Sequence, residues 1–348
     1  MPNQSPGGTT DVVAVTTNRP DDSPGKPSNI KPLKSSIMQT VGIIGGAGFI
    51  GSYVTQKFLA EGYHVKVSTT DIANRAKYEH LLALPNAEHL TVAALDLRQA
   101  DTVAGFVDGC ERLVHSGTPF QLDVQDPQKE LFEPTVTGTE NFLAALLNVA
   151  GLKQVVMVAS VAGWNTAFPM NPPTVAPDHV FSEADTPYFG ETDHPYAQAK
   201  FIADQTVRDF IAKHPDLPFG IITVSPTGVM GNSLSARQDS TSIGLQYLFK
   251  HKIAPNPFVE MLFATDAAFA LVDVRDVAEA IFQAATRPGL HGRNYLISTE
   301  TYTVSDMGRM LNQQPPVATG AVVYDSTMAQ RELGVSFRPV QETLNLYV

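Results

Sequence analysis

One cysteine, Cys110, stands in the 348 residues, so an intrachain disulfide and any zinc site built on a cysteine cluster are excluded. Charge is sparse as well: charged residues make up 17%, with 24 Lys and Arg against 35 Asp and Glu, for a net charge of −11. A chain without a basic surface cannot neutralise the phosphates of a nucleic acid, and an acidic membrane surface is disfavoured for the same reason. No apolar run reaches the ~20 residues of a membrane helix, and the opening MPNQSPGGTTDVVAV lacks the basic start and apolar stretch of a secretion signal. These absences give the expectation of a cytoplasmic protein with no nucleic-acid or membrane partner. The nine histidines show no HxH or HExxH spacing, so no metal site is expected. The GxSxG turn of α/β-hydrolases is missing too.

Apolar residues are plentiful, at 43%, enough to bury a sizeable core. At roughly 150 residues per domain the length suggests about two domains, or one large α/β unit with a subdomain. Residues 1–36 hold six prolines and no aromatic residue, a composition that cannot offset backbone entropy, so they are expected to be a disordered tail. Asp11, Asp21 and Asp22 argue against a transit peptide. From about Met38 the segment QTVGIIGGAGFIGSYVTQKFLAEGYHVKVSTT runs strand, glycine turn, helix, strand. Apolar runs follow at 90–97, 112–117, 153–160 and 219–226, separated by helical stretches at 99–109, 126–149 and 196–214. Six strands alternating with helices predict an α/β fold, a doubly wound parallel Rossmann sheet over 37–226. Shorter, scattered elements over 227–348 predict a smaller mixed C-terminal substrate-binding subdomain, with some strands or helices returning to the sheet.

Gly45, Gly48 and Gly51 fall where the first strand becomes the first helix. The first permits a tight turn, the second lets backbone approach a pyrophosphate, and the third packs helix on strand, with the phosphate at the helix N-terminus. A dinucleotide cofactor is therefore expected, NADP or NAD. An acidic residue ending the second strand favours NAD and an arginine NADP. The strand ends Ser68-Thr69-Thr70-Asp71, and Asp71 lies 20 residues past Gly51 but beyond the expected strand end, where it also reads as a turn or helix-capping residue. Hydroxyls at the strand end, with no carboxylate at Thr69, lean toward NADPH. Asp96, closing the third strand, suits an adenine amino group or a turn equally.

Tyr196 and Lys200 are four apart, one turn of a helix, so a cation sits beside a phenol. Its charge is expected to lower the phenol pKa toward the working range, which suits proton exchange with an alcohol. Ser160, 36 residues earlier at a strand end, can hydrogen-bond the same oxygen. His194 reads as a loop residue near substrate, Cys110 as packed, and Asp273 with Asp276 as the N-terminal capping of a helix.

Together GGAGFIGS (45–52), Asp96-Leu97, HSGTPF (115–120), DPQKELFEPTVTGTENFL (126–143), VVMVAS (155–160), YAQAK (196–200), SPTGVMG (225–231) and VDVRDVAEA (272–280) resemble an extended short-chain dehydrogenase/reductase. The likeness is to the branch of dihydroflavonol-4-reductase-like and fungal aldehyde/ketone reductases, and it spans about 41–344. The resemblance implies that Tyr196 is the acid/base, that Lys200 tunes it and binds the nicotinamide ribose, and that Ser160 polarises the carbonyl. It further implies cofactor contacts at Thr118, Pro119, Pro226 and Gly228, with Asp96 and Leu97 at adenine; Gly45, Gly48, Phe49, Ile50 and Gly51 at the turn and Thr70 and Asp71 at the strand end complete the expected cofactor set. Three positions depart from the pattern. Thr70 stands where reductases of this branch usually have Arg, while Thr69 stands where sugar-modifying members have Asp. Ala159-Ser160 replaces paired serines. Thr135, by contrast, occupies a site where sugar-modifying relatives tend to have Asn, and sides with the reductases.

The implied activity is NAD(P)H-dependent reduction of a ketone or aldehyde, with a nucleotide-sugar epimerase or dehydratase as the alternative and a non-catalytic cofactor sensor as a third reading. Between Met230 and Ala270 the basic residues are Arg237, Lys250, His251 and Lys252, while IAPNPFVEMLFATDAAFA is largely apolar, which favours an uncharged small-molecule carbonyl substrate over a diphosphate. Phe120, Trp164, Met230, Phe258 and Phe263 are the candidate wall residues. The long helices at 126–149 and 196–214 leave monomer and homodimer both open.

Overall fold

β-Branched and aliphatic runs too apolar for a one-sided sheet form strands covered on both faces. A computed structural model of the protein describes residues 38–117, 126–237 and 240–348 together with the strand Val12–Ala14. Among the described residues the strands are β1 (Val12–Ala14), β2 (Thr40–Ile44), β3 (His64–Thr69), β4 (Leu90–Ala94), β5 (Arg112–His115), β6 (Gln154–Val158), β7 (Gly220–Pro226), β8 (Gly228–Met230), β9 (Ala268–Asp273), β10 (Asn294–Ile297) and β11 (Glu300–Thr303). The α-helices are α1 (Phe49–Ala60), α2 (Glu79–Leu82), α3 (Ala100–Val107), α4 (Glu133–Leu146), α5 (Pro195–Lys213), α6 (Thr241–His251), α7 (Pro257–Ala264), α8 (Val274–Thr286), α9 (Val304–Leu311), α10 (Thr327–Leu333) and α11 (Val340–Asn345).

The main sheet has the order β1-β4-β3-β2-β5-β6-β7-β10, parallel except at β1. From β2 the chain winds outward through β3 and β4, then returns to β5 and winds the other way. Between β2 and β5 lies the switch point at which ligands bind in such sheets, at the carboxyl ends of the strands. Every residue of β6 is buried, as expected of a strand covered on both faces. On one face α1 and α8 pack together, with the rings of Phe58 and Phe282 edge to face at 5.0 Å. The other face is covered by α3, α4 and α5 through Phe106, Phe142, Leu146 and Val207. A second, three-stranded sheet, β11-β9-β8, carries α6, α7, α9 and α11 around Phe249, Leu262, Phe269 and Met307.

The fold agrees with the Rossmann expectation and extends it. Beyond the six expected strands, β10 from the segment RNYLIST pairs parallel with β7, Asn294 opposite Thr223. The expected tail contributes β1, whose Val12-Val13-Ala14 backbone pairs antiparallel with β4, an edge otherwise unpaired; the rest of 1–36 lies outside the described residues. The stretch expected as one helix at 126–149 divides into a π-helical turn, Gln128–Phe132, and α4, with Pro134 in the first turn of α4, where a missing N–H costs nothing. Asp273 caps α8 by accepting the Arg275 N–H at 2.7 Å, and Asp276 receives Arg338. Cys110 is buried and its thiol is pushed up to about 11 by burial, so it packs rather than reacts.

Candidate active site

At the switch point the chain leaves β2 through glycines whose geometry no other residue satisfies. Gly45 has φ +76°, and a Cβ there would stand 2.8 Å from the Gly117 Cα. A Cβ on Gly51 would lie 2.0 Å from the Gly45 carbonyl oxygen. The Gly48 N–H donates to that same oxygen at 2.9 Å, and the Gly45 N–H to Ser68 Oγ at 3.0 Å, closing the turn on the end of β3. Helix α1 then starts with no side-chain cap, so the first-turn amides of Phe49, Ile50 and Gly51 are left to a ligand or to water. A side-chain-free cradle of amides at a helix N-terminus fits a dinucleotide pyrophosphate.

On the adenosine side the residues divide. Thr70 Oγ1 accepts from Lys77 Nζ at 3.0 Å, placing a cation on the end of β3. Thr69 is buried and bonded to the backbone of Asp71, and the Asp71 carboxylate accepts the Ala73 N–H at 3.0 Å, the turn role weighed for it above. Asp96 is bonded by Arg98 and Gln99, and the guanidinium holds its carboxyl well below the usual range. Leu97 gives its carbonyl to Asn141 at 2.9 Å and packs over Gly138. Asp96 and Leu97 lie in the loop after β4, which ends at Ala94, short of the expected 97. Thr118, Pro119 and Phe120 lie outside the described residues.

Helix α5 supplies the phenol and the ammonium. Pro195 fills its first position and the His194 imidazole caps it, Nδ1 accepting the Tyr196 N–H at 3.2 Å. That cap fixes the turn from which Tyr196 projects, a role that sequence order alone did not assign to His194. Lys200 Nζ lies 5.8 Å from the centre of the Tyr196 ring. Ser160 follows β6 in extended conformation and its Oγ accepts the Ala162 N–H at 3.2 Å, which leaves the hydroxyl proton to be donated elsewhere. The titration of the pair differs from the sequence expectation. Burial dominates, raising the Tyr196 phenol well above its ordinary value and lowering Lys200 to about 8. Near neutral pH the phenol thus keeps its proton, and the lysine is still predominantly an ammonium. Buried His115, near Lys200, is depressed to about 4 and stays neutral there.

These groups open into one cavity of about 400 Å³. Gly45, Gly48, Phe49, Ile50 and Gly51 line it at the glycine turn, and Ser160, Tyr196, Lys200, Pro226 and Gly228 line it as well, whereas Thr70, Asp71, Asp96 and Leu97 are not among its lining residues. Of the expected wall, Met230 and Phe258 line it, joined by Phe168, Leu245 and Phe269, which the sequence reading did not name. Trp164 instead lines a neighbouring cavity with Asp204 and Arg208, and Phe263 packs on Phe249 at 5.8 Å inside the smaller lobe. Among the described residues no cluster of His, Cys, Asp or Glu could hold a metal, and no helix is long and apolar enough to cross a membrane.

Residues 41–298 match the model of the NAD dependent epimerase/dehydratase family. Cinnamoyl-CoA reductase 1 of Oryza sativa subsp. japonica is 31% identical over 325 residues, 88% of each chain. Dihydroflavonol 4-reductase of Dianthus caryophyllus is 28% identical over 80% of this chain and 74% of its own. The crystal structure of yeast methylglyoxal/isovaleraldehyde reductase Gre2 complexed with NADPH superimposes with a TM-score of 0.73 at 23% identity, covering 88% of this chain and 96% of that one, a likeness of fold.

Proposed function

The chain belongs to the NAD dependent epimerase/dehydratase family, and within it we propose an NADPH-dependent reductase of ketones or aldehydes that carry an aromatic or medium-length apolar group. The observation carrying this reading is the apolar wall of Phe168, Met230, Leu245, Phe258 and Phe269 facing Ser160, Tyr196 and Lys200 across one cavity. The curated relatives named for reduction of cinnamoyl-CoA and dihydroflavonol support the reaction class.

When bound between the glycine turn and Pro226–Gly228, the nicotinamide cofactor supplies a hydride. The residues of the chain do the rest. Ser160 donates its hydroxyl proton as a hydrogen bond to the carbonyl oxygen and polarises it. Tyr196, protonated because burial raises its pKa, delivers a proton to that oxygen as negative charge grows there. Lys200 keeps a positive charge one helical turn away, which stabilises the phenolate left behind. The apolar wall keeps water out, so these hydrogen bonds act in a low dielectric.

The charge on Lys200 sets the pH dependence. Its pKa is lowered to about 8, so the ammonium is present below that value and lost above it. The kcat/KM for reduction is expected to be level below neutrality and to fall as pH rises through about 8. A profile that instead rises through that range would remove Lys200 from the proton path.

The reading itself is tested by titrating the purified protein with NADPH and NADH and then assaying a panel of aromatic and aliphatic aldehydes and ketones. Reduction of apolar carbonyls, with none of nucleotide sugars, is expected. Tightly held NAD, with turnover of a UDP- or GDP-sugar and none of simple carbonyls, would transfer the protein to the epimerase class. Cofactor binding with no turnover of either kind would make it a sensor.

A further inference from the structure

The resemblance leads one to expect an arginine at the end of β3, and Thr70 stands in its place. One cation does reach this point, Lys77 on the Thr70 hydroxyl at 3.0 Å. A phosphate monoester carries about −1.5 to −2 charges near neutral pH, more than one ammonium balances. Arg75 opens the same turn as Lys77 but stands exposed to solvent, and His80 adds little charge. The His80 imidazole, 2.8 Å from Ser52 Oγ, is held toward its neutral form by burial and by the charge of Arg237.

Arg237 comes from the other lobe, in the segment between β8 and α6. It lines the same cavity as Gly48, Phe49, Ile50 and Gly51, and its Nη1 donates to the Lys77 carbonyl at 3.4 Å, across 160 residues of sequence. The guanidinium therefore lies where the smaller lobe meets the turn that carries Lys77. We propose that Arg237 is the second cation recognising the 2′-phosphate of NADPH, supplied from the substrate side of the cleft in place of the arginine missing at Thr70. The proposal rests on the reading of the chain as an NADPH-dependent reductase. Asp71, at the spacing of a ribose-binding carboxylate, accepts the Ala73 N–H instead, and its exposed carboxylate adds a negative charge beside the site that a second cation offsets. A planar guanidinium can bond two phosphate oxygens at once, which an ammonium cannot do in the same geometry.

The test is direct titration of the parent protein, Arg237→Met, Arg237→Lys and Lys77→Met with NADPH and with NADH, by cofactor fluorescence, with a melting curve for each. Loss of a charge-assisted hydrogen bond predicts that Arg237→Met weakens NADPH about tenfold or more and NADH by less than about twofold. Arg237→Lys is expected to fall between, and Lys77→Met to lose selectivity in the same sense. Adding Thr70→Arg to Arg237→Met is expected to restore NADPH affinity. Equal weakening of both cofactors would place Arg237 on the pyrophosphate or in the fold, and an unchanged NADPH affinity would leave it no role; either overturns the proposal while the NADPH reading stands. A parent protein without preference for NADPH over NADH overturns both together.

Discussion

Tyr196→Phe is expected to bind NADPH and to melt like the parent protein, yet to turn over carbonyl substrate roughly 100-fold or more slowly, the scale of losing a general acid. The substitution keeps the ring whose centre lies 5.8 Å from Lys200 Nζ, along with the helix cap donated by the Tyr196 backbone to His194, and removes only the hydroxyl. Single-turnover and steady-state rates at saturating cofactor would read the loss in kcat. Near-normal turnover would mean that the proton comes from elsewhere, and the Ser160–Tyr196–Lys200 assignment would fall with it.

Gly51→Ala is expected to damage both stability and cofactor binding. The added methyl would stand 2.0 Å from the Gly45 carbonyl oxygen and 2.8 Å from the Gly46 Cα, backbone atoms that cannot rotate away. Overpacking typically costs about 1–3 kcal/mol, and a clash with a closed turn belongs at about 3 kcal/mol, enough to lower Tm by several degrees. Because the turn and the first amides of α1 would have to separate, affinity for NADPH is expected to drop by more than tenfold for the loss of about two amide hydrogen bonds. Gly48→Ala makes the comparison specific, since its Cβ would meet the same oxygen only at 3.2 Å and the turn has to yield far less. If Gly51→Ala melts and binds as Gly48→Ala does, the close approach of α1 to β2 is not what the glycine provides.

The features legible in the sequence were those whose partners are close in sequence or whose chemistry is periodic. The glycine turn sits inside one strand-helix unit, and Tyr196 and Lys200 share one helical turn, so spacing alone juxtaposes them. Buried strands such as Gln154–Val158 announce themselves as unbroken apolar runs. What escaped depends on distant contacts. That some element of 227–348 returns to the sheet was expected, but not which: β10 is four residues amid polar neighbours, and only its pairing with β7 places it there. The wall residues Phe168 and Phe269 belong to segments 101 positions apart, and no pattern distinguished them from Phe263, which turned inward onto Phe249. The direction of the Tyr196 shift was misread for a related reason. Spacing reveals the neighbouring charge but not the depth of burial, and burial proved the larger influence.

The return of β10 and α8 to the larger sheet means that the chain cannot be cut into a cofactor half and a substrate half. A fragment ending after β7 would expose the β7 edge and strip α8 from the face it shares with α1, uncovering Phe58, Val54 and Ile222. The lobes are stitched by the polypeptide in both directions, so a calorimetric melt of the whole chain is expected to show one transition, and two separate transitions would mean that they are independent bodies.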